Sequence, residues 1–505
     1  MKPKNGDVKR KRGFGPILYD TYKEFAENTS LHGLKYTVMK DIGKWEKTFW
    51  LLVLFFGFAC AIYLTILFWG RYVSNPTRTT ILSYYAPTTT IPFPAVSICN
   101  INRISKTKLD NFVDKLGIDD EEEKKILMDA VPKVLIISGQ TGLYKRIDVE
   151  WAQIVLRRHN INNLTQFLGE VTHNCSETVM LCLWNEEILD CSQIFNEALT
   201  SNGFCCSFNY GDTKVKYATT EFNGVGSGLT VLLDPKIEKV QYSNYKSSGF
   251  KVIIHDPEEY PGGRATTRMI TQGSVAYIQL FGSKMICSGA VKDLPISQRD
   301  CYYTDEMELG SFGEYTYSNC LTECEANYYY SKCNCVPYFY DFTDKTKCDV
   351  SSLTCIFDIR SDIANLSKIC DCPTQCEDDF YDIVSEYSDF EYTKSMFMFS
   401  YENATIDNET ILLNVFFNEQ IQIVFMRDTI FSTIYLLSSF GGVYSLFLGC
   451  SLITIVEVLY YCTFRLFINM KHSSLTPADE KLFNSKQIYT IYKDRKNDFV
   501  PQFLP

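Results

Sequence analysis

The chain has 505 residues, 46% of them apolar and 14% aromatic, and a formal net charge of −11. At about 100–200 residues per domain, that is enough for roughly two to four ordinary domains. The acidic balance offers no basic field for a polyanion, so no nucleic-acid partner is expected.

Residues 1–47 hold eleven Lys/Arg and six Asp/Glu. No charge then occurs between Lys47 and Arg71 (TFWLLVLFFGFACAIYLTILFWG). About 20 helical residues cross a hydrocarbon core, so residues 48–70 read as a transmembrane helix. A signal peptide does not fit, because its apolar core runs about 7–15 residues and begins near the N-terminus. Ile81 to Asn100 reads as extended, and residues 105–135 as a charged, solvated helical face. LTVLLD, KVIIHD and SVAYIQL carry the β-branched content of strands. Residues 305–335 and the stretch before Asp428 mix both signals. Residues 71–428 therefore form one large α+β region.

Charge vanishes again between Asp428 and Glu457, and apolar character continues to Phe467, which makes 429–467 the second membrane segment. Residues 458–505 hold seven Lys/Arg and four Asp/Glu. Cytoplasmic flanks carry excess Lys/Arg. The reading is a plasma-membrane protein in contact with lipid, crossing twice, with 1–47 and 468–505 cytoplasmic. Residues 48–457 hold 31 basic and 50 acidic residues, so the outer region concentrates cations near its surface or is simply soluble. Sequons at Asn163, Asn174, Asn365, Asn403 and Asn408 fall in that outer region as glycosylation sites. Asn28-Thr-Ser matches too, on the inner side.

Seventeen of the twenty cysteines lie between the two apolar segments, ten of them from Cys301 to Cys376. Cys320-x3-Cys324 and Cys370-x-Cys372-x3-Cys376 resemble zinc-ligand spacings. The extracellular side favours disulfides, and no metal site is expected. Cys320 and Cys324 share one face of a helix, and Cys370 and Cys372 one face of an extended strand. Spacing alone leaves connectivity open, and the odd count leaves at least one thiol free or paired between chains. Cys60, Cys450 and Cys462 lie in or beside the spans and read as reduced.

The five histidines are scattered, and no Ser/His/Asp, P-loop or Rossmann signature occurs in a fitting context. Neither an enzyme nor a cofactor is expected. The second apolar segment is the exception to blandness: SSFGGVYSLFLGCSLITIVEV. Gly449 permits a break in the helix. Non-helical backbone survives at membrane depth where it is buried in protein or lines a watery cavity. Freed carbonyls there can replace an ion's hydration shell, and Glu457 could join an acidic ring for cations. The competing reading is close helix packing by small residues. One such helix cannot enclose a path, so a pore requires an oligomer.

Several motifs together resemble the degenerin/epithelial sodium channel superfamily, which includes the acid-sensing channels. These are Ser30-Leu31-His32-Gly33, Phe93-Pro94-Ala95-Val96-Ser97-Ile98-Cys99-Asn100, Gly203-Phe204-Cys205-Cys206-Ser207-Phe208-Asn209, Gly228-Leu229-Thr230-Val231, His255-Asp256-Pro257-Glu258-Glu259-Tyr260-Pro261 and Gly449-Cys450-Ser451. The doubled Cys205-Cys206 and the wording around His32 look most like the insect pickpocket branch. The resemblance implies a trimer, alone or with related subunits, forming a voltage-independent, amiloride-sensitive, sodium-selective channel gated by an extracellular stimulus. An accessory subunit or sensory receptor component without its own pore is the alternative.

It also implies a hand-like outer domain on two transmembrane helices, with 301–376 as the thumb. His32 and Gly33 become a gating motif, and Gly449, Cys450 and Ser451 the selectivity filter. Ser439, Gly441, Gly442 and Glu457 become pore and gate positions. By family order the disulfides are Cys99–Cys205, Cys182–Cys191, Cys301–Cys376, Cys320–Cys372, Cys324–Cys370, Cys333–Cys355 and Cys335–Cys348. That leaves Cys175, Cys206 and Cys287 without family partners, and one pair among them would satisfy the odd count. Departures are Cys450 where acid-sensing members carry Ala, and Ser439 where they carry a pore-mouth acid. Gly442 matches the position where bulk holds degenerins open. The C-terminal tail lacks a Pro-rich Tyr motif, so ubiquitin-ligase control is not implied.

Overall fold

The structure, a computed structural model, describes residues 14–74, 76–138, 145–211, 218–238, 247–262, 265–365, 369–390, 407–430 and 432–473. The chain forms two compact units. One joins its two ends, up to Pro76 and from Ile430; the other is Thr77–Thr429.

The first unit begins with α1 (Phe14–Asn28), α2 (Leu34–Val38) and α3 (Lys44–Ser74). Helix α3 outruns the apolar stretch read from sequence by four residues at each end. Turns continue through Lys44, Glu46 and Arg71 because hydrogen bonding does not stop where charge begins.

Among its described residues the second unit is two large sheets and one of two short strands, with helices alongside. The strands are β1 (Thr77–Pro87), β2 (Ala95–Asn100), β3 (Val179–Trp184), β4 (Glu187–Leu189), β5 (Phe195–Thr200), β6 (Gly203–Phe208), β7 (Leu229–Leu233), β8 (Gly249–His255), β9 (Thr266–Thr271), β10 (Ser274–Cys287), β11 (Cys301–Tyr302), β12 (Thr374–Gln375), β13 (Asp378–Asp389), β14 (Ile411–Phe417) and β15 (Ile421–Thr429). The larger sheet runs β1-β15-β10-β14-β7-β3-β4, with β13 also on β10; the smaller runs β5-β6-β2-β8-β9. Strand β10 pairs parallel with β14 along Val275–Leu280, then parallel with β15 along Ser283–Cys287. Gly282 lies at the changeover, where an added Cβ would stand 2.3 Å from Ile91 Cδ1. Phe93, Phe208, Val231, Ile278 and Phe417 pack the core shared by the two sheets.

Helices α4 (Lys106–Lys115) and α5 (Glu121–Ala130) fall in the stretch 105–135 read as helical and charged; α6 (Arg146–Arg158) and α7 (Leu164–Val171) follow beyond it, and all four are amphipathic. Their buried Leu109, Leu127, Val149 and Leu164 join one core with the later helices. Single turns α8 (Cys175–Thr178), α9 (Cys191–Ile194), α10 (Gly289–Lys292) and α11 (Ile296–Arg299) follow. They lead to α12 (Tyr317–Cys333) and α13 (Leu353–Ala364).

Eight disulfides fasten this unit. Five lie between Cys301 and Cys376: 301–376, 320–372, 324–370, 333–355 and 335–348. Cys99–Cys205 joins opposite residues of β2 and β6, and Cys182–Cys191 closes a short loop. The eighth is Cys175–Cys206, which leaves Cys287 free. Successive strand residues point to opposite faces. The doubled cysteine of β6 therefore serves two partners, Cys205 across the sheet and Cys206 toward α8.

The chain returns to the first unit with α14 (Thr433–Leu448), α15 (Leu452–Tyr460), a π-helical turn over Tyr461–Arg465 and α16 (Leu466–Ser473). The second apolar segment is thus two helices rather than one span. Its part from Leu452 to Lys471 is apolar and long enough by itself to cross a membrane, as is α3.

Candidate functional site: a broken helix and the segment packed on it

Helix α14 ends because Gly449 turns left-handed, at φ 67° and ψ 20°. Its amide and that of Cys450 donate back to the Ser445 and Tyr444 carbonyls, at 2.9 and 3.3 Å. This is the ordinary way a glycine closes a helix. Two residues later a new helix starts. Ser451 caps α15, its Oγ accepting from the Thr454 amide at 3.3 Å. The Ser451 amide donates to Thr454 Oγ1 at 3.0 Å. This reciprocal pair satisfies two of the amides a helix start leaves open. Gly449-Cys450-Ser451 is therefore a stop and a restart, with Cys450 a free, half-buried thiol between them.

The segment between α1 and α2 packs on that break. The His32 amide donates to the Leu448 carbonyl at 2.9 Å. A Cβ at Gly449 would stand 2.6 Å from the His32 ring, so glycine is required there twice over, by backbone and by contact. Gly33 is also left-handed, at φ 82°, and a Cβ there would meet Trp50 of α3 at 3.2 Å. Tyr36 stacks on the same Trp50, ring centroids 4.5 Å apart. Ser30 and Thr454 share a hydroxyl hydrogen bond of 2.6 Å. The Thr29 hydroxyl and Ser30 amide donate to Glu457 Oε2 at 3.0 and 3.2 Å. Glu457 is thus held by the N-terminal segment.

Two further contacts complete the frame. Gly57 and Ala61 of α3 are buried, and a Cβ at Gly57 would lie 3.2 Å from the Phe447 carbonyl oxygen. Small residues thus let α3 and α14 approach closely. At the far end Arg465 Nε donates to Glu24 Oε2 at 3.0 Å, its Nη2 contacts the other oxygen, and Asn469 donates to Thr21 at 2.9 Å. The Arg465 guanidinium holds the Glu24 carboxyl below its ordinary range. Ser439, Gly441 and Gly442 lie along α14, away from the break, and a Cβ on either glycine meets nothing within 4 Å.

Thr29, Thr454, Glu24 and Arg465 were not singled out from sequence. Thr454 had a signal, three residues after a capping Ser. The Glu24–Arg465 pair had none. Asn163, Asn174, Asn365 and Asn408 are exposed, and Asn403 falls outside the described residues. Among the described residues no His, Cys, Asp and Glu cluster has the geometry of a metal site.

In the Thr77–Thr429 unit the loop after β8 brings Asp256 and Glu259 near Asp378 and Asp379 of β13, with Lys284 of β10 on Asp379 at 3.3 Å. Burial, then mutual repulsion, pushes Asp256 up to about 6 and Asp378 up to about 7. Glu259 rises to about 8 despite hydrogen bonds from Thr316 and Ser318 at the start of α12.

The model for the amiloride-sensitive sodium channel family matches residues 25–461. The chain belongs to that family. Sodium channel protein Nach of Drosophila melanogaster is 29% identical, over 99% of this chain and 98% of its own. Pickpocket protein 11 of the same fly is 26% identical, over 91% and 78%. The human bile acid-sensitive ion channel is 24% identical, over 92% and 91%. The protein is a sodium channel family member with two candidate membrane helices, and not an enzyme.

Proposed function

We propose that this chain is a pore-forming subunit of a trimeric, voltage-independent, amiloride-sensitive and sodium-selective channel, alone or with related subunits. Both termini are cytoplasmic, and an extracellular stimulus opens it. The observation that carries this reading is the break at Gly449-Cys450-Ser451. A helix that stops and restarts within an apolar segment interrupts the regular backbone ladder at Gly449 and Cys450, and backbone of that kind is tolerated at membrane depth where it borders water or protein. Gly449, Cys450 and Ser451 form the filter, and Gly442 the position where bulk favours the open state.

Cys450 makes the reading testable. Expressed in oocytes, Gly442→Val should produce a standing, amiloride-blocked sodium current. A charged methanethiosulfonate reagent should reduce that current. The Cys450→Ser form of the same channel should resist the reagent, which separates Cys450 from the other free thiols, Cys60, Cys287 and Cys462. Equal modification of both forms removes Cys450 from the ion path. No current, alone or beside related subunits, assigns the chain an accessory role.

A further inference from the structure

A groove of about 520 Å³ lies where α6 hands over to α7, with α4 along its other side. Sites for small ligands typically enclose about 300–1,000 Å³. The buried Phe167 and the half-buried Phe112 of α4 give the groove an apolar wall. Exposed Arg158, Gln166 and Glu170 give it a polar rim. An aromatic wall under a rim of donors and acceptors suits a sugar, whose edges are polar and whose C–H face is drawn to the negative face of a ring. Asn163 lies in the wall of the same groove. It opens Asn163-Leu164-Thr165, the acceptor pattern for N-linked glycosylation. Its Oδ1 accepts the Gln166 amide at 3.1 Å and so caps α7. That bond holds the side-chain amide in place by its oxygen and leaves Nδ2, the atom that carries a glycan, on the other branch.

We propose that Asn163 carries an N-glycan whose first two N-acetylglucosamine residues lie in this groove, against Phe112 and under the polar rim. The inference rests on the proposed cytoplasmic termini, which put Thr77–Thr429 outside the cell, and not on the identity of the filter. Tethering lets the site work without strong contacts. A sugar bonded to the wall meets the groove at an effective concentration in the millimolar range, so contacts too weak to hold a free sugar suffice. Seated there, the glycan ties α4 to the turn between α6 and α7.

The test makes the full chain in mammalian cells with kifunensine, so that every glycan is high-mannose, and solubilises it folded. Endoglycosidase H, which cuts between the first two sugars, is then added, and glycopeptide mass spectrometry follows each site in time. Asn163 should be occupied, and its glycan should be cut at least about tenfold more slowly than that of Asn408, because the enzyme acts only on the unseated fraction. Denaturing the protein first should equalise the two sites. Gln166 and Leu116 both line the groove, so Gln166→Trp and Leu116→Trp should each fill it and bring the Asn163 rate up to that of Asn408. A bare Asn163 beside occupied Asn174, Asn365 and Asn408, equal cutting of Asn163 and Asn408 in the folded protein, or protection that survives both tryptophan variants would each overturn the proposal. Four bare sites would overturn the extracellular placement, and this proposal with it.

Discussion

At Gly449 two independent demands meet on one atom. A left-handed backbone costs a side-chain-bearing residue about 1–2 kcal/mol. The 2.6 Å approach to His32 adds a contact no real Cβ makes. Gly449→Ala should therefore abolish current while leaving surface delivery intact, read by recording and surface biotinylation together. Adding His32→Ala relieves only the contact, so recovery should be partial at most; full recovery would show that the backbone demand is slight. The carboxylates around Glu259 make a second residue-scale case, through pH. Glu259 rises from 4.5 to about 8 in the folded chain, so the fold binds more protons than the unfolded chain across that window. The stability this contributes is fully present below about pH 4.5 and is lost as pH rises through about 8. Asp256 and Asp378 act in the same sense, with Asp379, Glu258 and Lys284 as charged neighbours. The protection factors of the β13 amides, exchange being referred to the intrinsic rate at each pH, should rise on acidification from pH 8 to pH 5, and Glu259→Gln should flatten that dependence. An unchanged slope in Glu259→Gln would reassign it to other groups.

Among the elements, α1 and the end of the second segment are joined by charge as well as by packing. Glu24→Arg or Arg465→Glu should each alter the open fraction, and the double exchange should restore it, measured as current per surface channel. Singles that match wild type would make the pair ornamental, as exposed ion pairs often are. Nothing in the sequence pointed to this pair, because its members lie 441 residues apart and belong to different hydrophobic patterns. The helix of the first segment was legible because a long uncharged run has one stable solution in lipid. In the second segment hydropathy showed a single apolar run, and Gly449 alone signalled a break; the restart at a capping Ser451 carried no hydropathy signal. Family order covered fourteen of the paired cysteines, and the Cys175–Cys206 bond falls outside that order. Alternation along β6 turns Cys206 to the opposite face once Cys205 is committed to Cys99, and the fold places Cys175 of α8 there.

Over the whole molecule, sixteen of the twenty cysteines are paired, and Cys287 is the one free thiol between the two apolar segments. Secreted as the fragment Thr77–Thr429, this unit should show one thiol per chain when denatured without reductant. Three thiols would break the Cys175–Cys206 assignment. Its loss through Cys175→Ser with Cys206→Ser should lower stability by about 2–4 kcal/mol.

The register of β1 and β15 carries one more consequence. Thr77 pairs with Thr429, so the chain enters and leaves the larger unit at neighbouring positions. Opposed residues in an antiparallel pair stand about 5 Å apart. The whole of Thr77–Thr429 is thus a cartridge with a single doorway, and a relative's counterpart can be grafted between the same two residues without a linker. Recombination at two codons would exchange the whole unit and leave both apolar segments untouched.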